Sequence, residues 1–212
     1  MPLLSEQDKQ EVKKMFEQNL KEKVTIVFFK GNTPECQYCK EIEELMNEVS
    51  SFSEKIELKV YDYQSEEAKK FDVKTAPTIL FEEYPGVRYL GIPSGHEFSA
   101  FLKDIIHISN RSYHFQHPET ENKIKSIDKK VHIMVFVTPT CPYCPITVHM
   151  AHQFAMANPN IIAEMIEAIE YKQLSDKWKV MAVPKVVINE KVEFEGAYPE
   201  DHFVNFILEA IK

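Results

Sequence analysis

The stretch Cys141-Pro142-Tyr143-Cys144 follows the apolar run Ile133-Met134-Val135-Phe136-Val137 and opens a segment of helical character that extends to about Ala157. A buried-type strand, a short loop, Cys-x-x-Cys and then a helix is a setting for thiol–disulfide exchange. A cysteine at a helix N-terminus meets unpaired backbone N–H groups and the positive end of the helix dipole, both of which stabilise a thiolate. The pattern occurs twice. Val24-Thr25-Ile26-Val27-Phe28-Phe29 leads through a loop to Cys36-Gln37-Tyr38-Cys39, and these two motifs hold all 4 cysteines of the chain.

Landmarks around the motifs repeat as well. Val73-Lys74-Thr75-Ala76-Pro77 matches Val180-Met181-Ala182-Val183-Pro184 at a spacing of 107, and Phe29 matches Phe136 at the same spacing. The cysteines, and Gly91 with Gly196, are 105 apart, so the indels of two residues fall in loops, as a duplicated fold requires. Each half begins with a helix-like segment (Val12, Met15, Phe16 and Leu20 in the first, Ile124 and Ile127 in the second), and Ser5 with Asp8 makes an N-terminal cap. Each half closes on another amphipathic stretch: Phe98, Phe101, Leu102, Ile105 and Ile106, then Phe203, Phe206 and Ile207. The polar segment Asn110–Thr120 separates them, giving expected units of 1–117 and 118–212. Asn160–Glu170 (NIIAEMIEAIE) has the composition of a helix. The repeat aligns it with Glu57–Tyr63, and it is therefore expected to be a strand.

The 212 residues carry a net charge of −8, which offers no electrostatic attraction to nucleic acid or anionic membrane. No apolar run approaches the ~18 residues of a membrane span, and the first residues show neither a basic nor an apolar leader region, so a soluble, cytoplasmic protein is expected. Each cysteine pair would close too small a loop to act as a structural staple. Zinc-binding pairs are usually separated by roughly 15–20 residues, against about a hundred here, so no metal site is expected. His114, His117, His149 and His152 are read as surface or packing residues, and Trp178 as core.

The order strand, Cys-x-x-Cys, helix, strand, short helix and proline resembles the thioredoxin superfamily. Two such units in one chain most closely resemble the glutaredoxin-like protein disulfide oxidoreductases of hyperthermophilic archaea and bacteria. The resemblance implies an α/β fold of two tandem thioredoxin-like units, each a central mixed sheet flanked by helices. It implies protein thiol–disulfide oxidoreductase activity (reduction, oxidation or isomerisation) without a cofactor. Cys36 and Cys141 would attack and Cys39 and Cys144 would resolve. Ala76-Pro77 and Val183-Pro184 would be cis-proline loops beside the sulfurs that bind extended substrates, with Gln37, Tyr38, Pro142 and Tyr143 as motif residues. The partners implied are protein disulfides, a thioredoxin-reductase-type flavoenzyme as reductant and a peroxiredoxin as a further acceptor. A dedicated electron carrier to a peroxidase is the second reading, since the tandem module of alkyl hydroperoxide reductase flavoproteins has a similar arrangement.

The buried carboxylate that many thioredoxins carry on the strand before the cysteines is replaced by Val135 in the second unit, and by Lys30 or Phe28 in the first. Gly196 is followed by Ala197 where glutaredoxins have a Gly-Gly pair at the glutathione site. Pro142 suits the first helical position, with the N–H groups of Tyr143 and Cys144 facing the Cys141 sulfur. Glu35, Glu41, Glu43 and Glu44 surround Cys36, partly offset by Lys40, whereas Thr140 precedes Cys141. Negative charge disfavours a thiolate, so Cys141 is expected to be the more acidic thiol.

Overall fold

A computed structural model describes residues 4–212. The first helix, α1 (Glu6–Asn19), starts with a capping box in which the Ser5 hydroxyl accepts from the Asp8 N–H and Asp8 accepts in return, and it buries Val12 and Phe16. The β-branched and aromatic run that follows forms β1 (Val24–Lys30), with six successive buried residues. Continuous burial of this kind marks a central strand covered on both faces. The chain continues through a 3-10 turn at Cys36–Tyr38 into α2 (Cys39–Ser50), then β2 (Ile56–Asp62), α3 (Glu66–Lys70), β3 (Thr78–Phe81), β4 (Tyr84–Leu90) and α4 (His96–Ser109). The second unit repeats the order: α5 (Pro118–Lys125), β5 (Val131–Val137), α6 (Cys144–Ala157), β6 (Ile161–Glu167), α7 (Lys172–Lys177), β7 (Lys185–Ile188), β8 (Val192–Glu195) and α8 (Glu200–Ala210).

Among the described residues all strands join one 8-stranded sheet in the order β2-β1-β3-β4-β6-β5-β7-β8. Within each half the strand that leads to the cysteines lies between a parallel partner (β2 or β6) and an antiparallel one (β3 or β7). The halves join where β4 runs parallel to β6, in register from Val87↔Ala163 to Leu90↔Ile166. Gly86 stands at the start of this joint, where a Cβ would collide with the Ile161 carbonyl.

The segment with helical composition, Asn160–Glu170, supplies β6, which pairs on both edges. Two ladders of hydrogen bonds override its weak helix preference. Ile127, expected on the fifth helix, lies beyond its end at Lys125 but is buried all the same.

The joint carries charge. Arg88 and Glu164 are register partners across it; the guanidinium donates to the carbonyls of Phe71 (2.7 Å) and Pro85 (2.9 Å) and lies 3.8 Å from the Glu164 carboxylate. The other oxygen of Glu164 is 2.7 Å from His132 Nε2 on β5. Burial opposes a charge on His132, but the Glu164 carboxylate outweighs it and holds the imidazole pKa above 6.5. This pairing contributes fully below the ordinary histidine pKa and is lost as pH rises through the raised folded value. Glu164→Gln is expected to cost about 3 kcal/mol in urea unfolding at pH 6, because it strands the Arg88 charge inside the sheet. The same variant should flatten the fall in stability that sets in as pH rises above the ordinary histidine value of 6.5.

Candidate functional site: two disulfides at one end of the sheet

Successive pairings make β1 parallel to β4, β4 to β6 and β6 to β5. The loops that leave β1 and β5 therefore emerge at the same end of the sheet, and both carry cysteines. Cys36 is bonded to Cys39 and Cys141 to Cys144, with Cα separations of 5.0 and 5.5 Å. The two pairs differ in exposure. Cys141 is 7% exposed and Cys144 fully buried, whereas Cys36 and Cys39 are both half-buried.

The first cysteines also sit in different backbone. Cys36 opens a 3-10 turn that runs directly into α2. Cys141, Pro142 and Tyr143 form a bend ahead of α6, which starts at Cys144, so Pro142 is not in the helix. Pro145, in the first turn, has no N–H to offer the Cys141 carbonyl; α2 likewise starts at its second cysteine, with Lys40 at the matching place, so the helix start is common to both units. The thiolate-directed donor nonetheless survives at Cys144, whose N–H donates to Cys141 Sγ at 3.2 Å. No acidic residue stands in the first turn of α6, while Glu41 stands in that of α2. Glu43 is paired with Lys30 at 2.7 Å and Glu44 lies 3.9 Å from Lys40.

Peptide bonds Ala76-Pro77 and Val183-Pro184 are cis. The Val183 carbonyl oxygen lies 3.7 Å from Cys141 Sγ, which places this loop against the second disulfide. Around it, Tyr143 is 65% and Met181 89% exposed, and Ile146 and Ile169 are exposed as well. A cleft of about 390 Å3, lined in part by Ile169, Val180, Met181 and Val183, opens beside the second proline loop. In the first unit Tyr38 and Gln37 are exposed, whereas Ala76 is 0% exposed.

Val135 and Phe28 are fully buried apolar residues, and the carboxylates of the site come from elsewhere. Glu97, in the first turn of α4, is 1% exposed and neither carboxyl oxygen has a partner. Its helix is tied to the second cysteine loop, because the His96 N–H donates to the Pro139 carbonyl at 3.0 Å. Gly95 permits that contact; it has φ +59°, and a Cβ there would strike the same carbonyl. Burial, and secondarily the charge of Asp104, push the Glu97 pKa up to about 8.

Asp104 is itself fully buried and accepts from the Tyr89 hydroxyl at 2.5 Å. His152 Nδ1 and His149 Nδ1, both from α6, lie 2.5 and 2.8 Å from its two oxygens. Burial opposes the Asp104 charge, but the two imidazoles outweigh it and hold the carboxyl well below its usual range. His152 is thus a packing residue with a hydrogen-bonding role, and among the described residues no cluster of His, Cys, Asp and Glu has the arrangement of a metal site. Two more buried carboxylates, Glu167 at the end of β6 and Glu170 just beyond it, lie at the same sheet end; burial raises both, Glu170 to about 7. The Glu170 carboxylate accepts from the Ile92 N–H at 2.7 Å, across the join between the units.

Sequence reasoning does not single out Glu97 and Asp104. The signal that could have found them is their spacing: both fall on the apolar stripe of Phe101, Ile105 and Ile108, where a carboxylate is out of place.

The chain belongs to the thioredoxin-fold proteins, as a tandem of two units with a disulfide-forming Cys-x-x-Cys in each. A thioredoxin-domain model matches residues 131–209, and a model described as the HSGNPxU motif selenoprotein TsoX matches residues 46–85, a stretch that contains neither cysteine motif. The crystal structure of a protein disulfide oxidoreductase from Aeropyrum pernix superposes with a TM-score of 0.87 at 30% identity, covering 96% of this chain and 91% of that one. The alkyl hydroperoxide reductase protein AhpF of Enterococcus faecalis shares the fold, with a TM-score of 0.86 at 24% identity over 96% and 99% of the two chains. In sequence, the AhpF protein of Staphylococcus aureus is 31% identical over 153 residues, which is 71% of this chain and 28% of the relative. An NADH dehydrogenase of Bacillus subtilis is 28% identical over 77% of this chain and 30% of its own length. The matches thus span less than a third of these curated relatives. No helix among the described residues is long and apolar enough to cross a membrane.

Glu97 makes a pH prediction. Its folded pKa lies above its unfolded value, so the folded state is favoured below pH 4.5 and loses that advantage as pH rises to about 8. Glu97→Gln is expected to remove this loss, seen as urea midpoints that rise relative to the parent between pH 5 and pH 8.

Proposed function

We propose that the chain is a protein thiol–disulfide oxidoreductase in which the units 1–117 and 118–212 each supply one dithiol centre. The observation that carries this reading is the surroundings of the Cys141 sulfur. A backbone N–H donor lies 3.2 Å away on one side and the Val183 carbonyl 3.7 Å away on the other, beside an exposed apolar rim. The donor favours the thiolate, and the open backbone and rim suit an extended polypeptide.

In the reducing direction the Cys141 thiolate attacks one sulfur of a substrate disulfide and expels the other as a thiolate. Cys144 then loses its proton and attacks Cys141 Sγ, which releases the second substrate thiol and leaves the Cys141–Cys144 disulfide. Two electrons pass to the substrate. Glu97, whose two buried carboxyl oxygens have no partner and whose helix is tied to the second cysteine loop by the His96–Pro139 bond, is the group we assign to carry the Cys144 proton. Cys36 and Cys39 take the same roles in the first unit. Cys141 is the more acidic of the two attacking thiols, given its N–H donor and a first helical turn without an acidic residue, where that of α2 holds Glu41. A thioredoxin-reductase-type flavoenzyme would return the electrons.

A second reading is favoured by the identity to the AhpF protein of alkyl hydroperoxide reductase over 71% of the chain: a carrier that passes electrons to a peroxiredoxin. The reduced protein offered insulin in one assay, and a peroxiredoxin with peroxide in another, separates the two. Insulin reduction is expected to fall at least tenfold in Cys141→Ser, and to be absent in the Cys36→Ser/Cys141→Ser double variant. Undiminished activity in the double variant refutes both readings. In Glu97→Gln, the pH dependence of the first-turnover rate should lose its inflection near pH 8 while the attack step itself is retained.

A further inference from the structure

Three consecutive carbonyls in the first proline loop are occupied by hydroxyl groups. Thr78 donates to the Thr75 carbonyl at 2.8 Å, Thr33 to that of Ala76 at 2.6 Å, and Tyr171, reaching across from the second unit, to that of Pro77 at 2.8 Å. In the second proline loop Lys185 stands where Thr78 does, and the Pro184 carbonyl accepts the Gly196 N–H at 2.8 Å. Among the described residues no hydroxyl or amide donates to the carbonyls of Ala182 and Val183; the Val183 oxygen faces only the Cys141 sulfur.

The contrast is sharpest at a matched pair of threonines. Thr33 and Thr138 each precede a proline and stand three residues before the first cysteine, and each accepts that cysteine's N–H at 3.1 Å. Only Thr33 turns its hydroxyl onto the residue before the proline. The loop before Cys36 is two residues longer. Burial follows the same division, with Ala76 fully buried, Val183 half-buried and Met181 and Ala182 exposed.

An extended polypeptide docks on a strand edge by exchanging main-chain N–H···O bonds with it, and a carbonyl already paired in a buried position is closed to that exchange. We propose that the two centres differ in substrate class. The Cys141–Cys144 centre docks extended polypeptides along Val183, and the Cys36–Cys39 centre is closed to them and exchanges with small disulfides and dithiols that need no backbone contact. Thr33 is the specificity-determining residue. This inference rests on the reading of both pairs as redox centres. The chemistry at Cys36 is balanced in the usual way: its thiolate displaces one thiolate of a small disulfide, Cys39 displaces the other, and two electrons leave the protein as its disulfide forms.

The test uses full-length chains with one centre each, Cys141→Ser/Cys144→Ser and Cys36→Ser/Cys39→Ser, reduced and freed of reductant. Each is mixed with insulin or with 2-hydroxyethyl disulfide, and the second-order rates are measured. The ratio of the insulin rate to the small-disulfide rate is expected to be at least tenfold lower at the first centre than at the second. Adding Thr33→Val to the first-centre protein should raise its insulin rate about tenfold and leave the small-disulfide rate within twofold, while Thr33→Ser leaves both rates as they were. Equal ratios at the two centres, or a Thr33→Val effect that is absent or the same for both substrates, overturn the inference. If Thr33→Val fails to fold by circular dichroism, the ratio between the two single-centre proteins decides alone. Failure of both centres on both disulfides instead refutes the redox reading on which the inference stands.

Discussion

The parallel pairing of β4 with β6 is the constraint on which the rest of the molecule depends. Each half holds only four strands, and each would expose one edge of its sheet at this point. An unpaired edge invites association with other chains. Joining the two edges removes both liabilities, and the direction of the join decides where the chemistry falls. A parallel joint brings the ends of β1 and β5 to the same end of the sheet; an antiparallel one would have sent the two cysteine loops to opposite ends. The buried Arg88–Glu164 pair in the joint favours this register, because a slip of one residue would take the two opposite charges away from each other.

Behind the joint, a second buried group ties helix to helix. Asp104 on α4 is held by His149 and His152 on α6 and by Tyr89 on β4, with the Tyr89 ring packed edge-on against both Phe101 and His152. This network fixes α4 against α6, the helix that starts at Cys144. The start of α4 then meets the Pro139 carbonyl and brings Glu97 to the end of the sheet where the cysteines lie. A carboxylate supplied by the first unit thus reaches the surroundings of the second unit's disulfide. The strand position that usually carries such a group is left to Val135, packed in the core.

The repeated elements are the most legible part of the sequence, because each is marked by residues with few alternative uses. Cys-x-x-Cys after an apolar run, and a proline at a fixed distance beyond it, locate the sheet order within each unit. Alignment of the two halves recovers β6 from a segment whose own composition favours a helix. What sequence does not disclose depends on contacts between units. Nothing in the β4 sequence says that it pairs with β6, since Arg88 reads as a surface residue until Glu164 is placed opposite. Glu97 and Asp104 fall on the apolar stripe of their helix, but sequence does not say what that stripe packs against or that His149 and His152 come from α6 to meet Asp104. The start of α6 is ambiguous between two prolines: Pro142 has the look of a first helical residue, but the helix starts at the second cysteine, as α2 does without a proline there. The use of Thr33 differs from that of Thr138 despite their matched sequence positions, because it is a property of loop geometry that no residue type encodes.

The sheet that places both disulfides at one end also holds them apart. Four strand intervals separate β1 from β5, roughly 19 Å at the usual spacing, and the twist accumulated over those intervals turns the two strand axes by about 90°. Thiol–disulfide exchange needs bonding contact between sulfurs, so the two centres cannot exchange electrons directly within a rigid sheet. Any exchange between them would therefore need a third body: a partner that leaves one pair and rebinds at the other, or a flexible arm of at least about six extended residues that spans the gap.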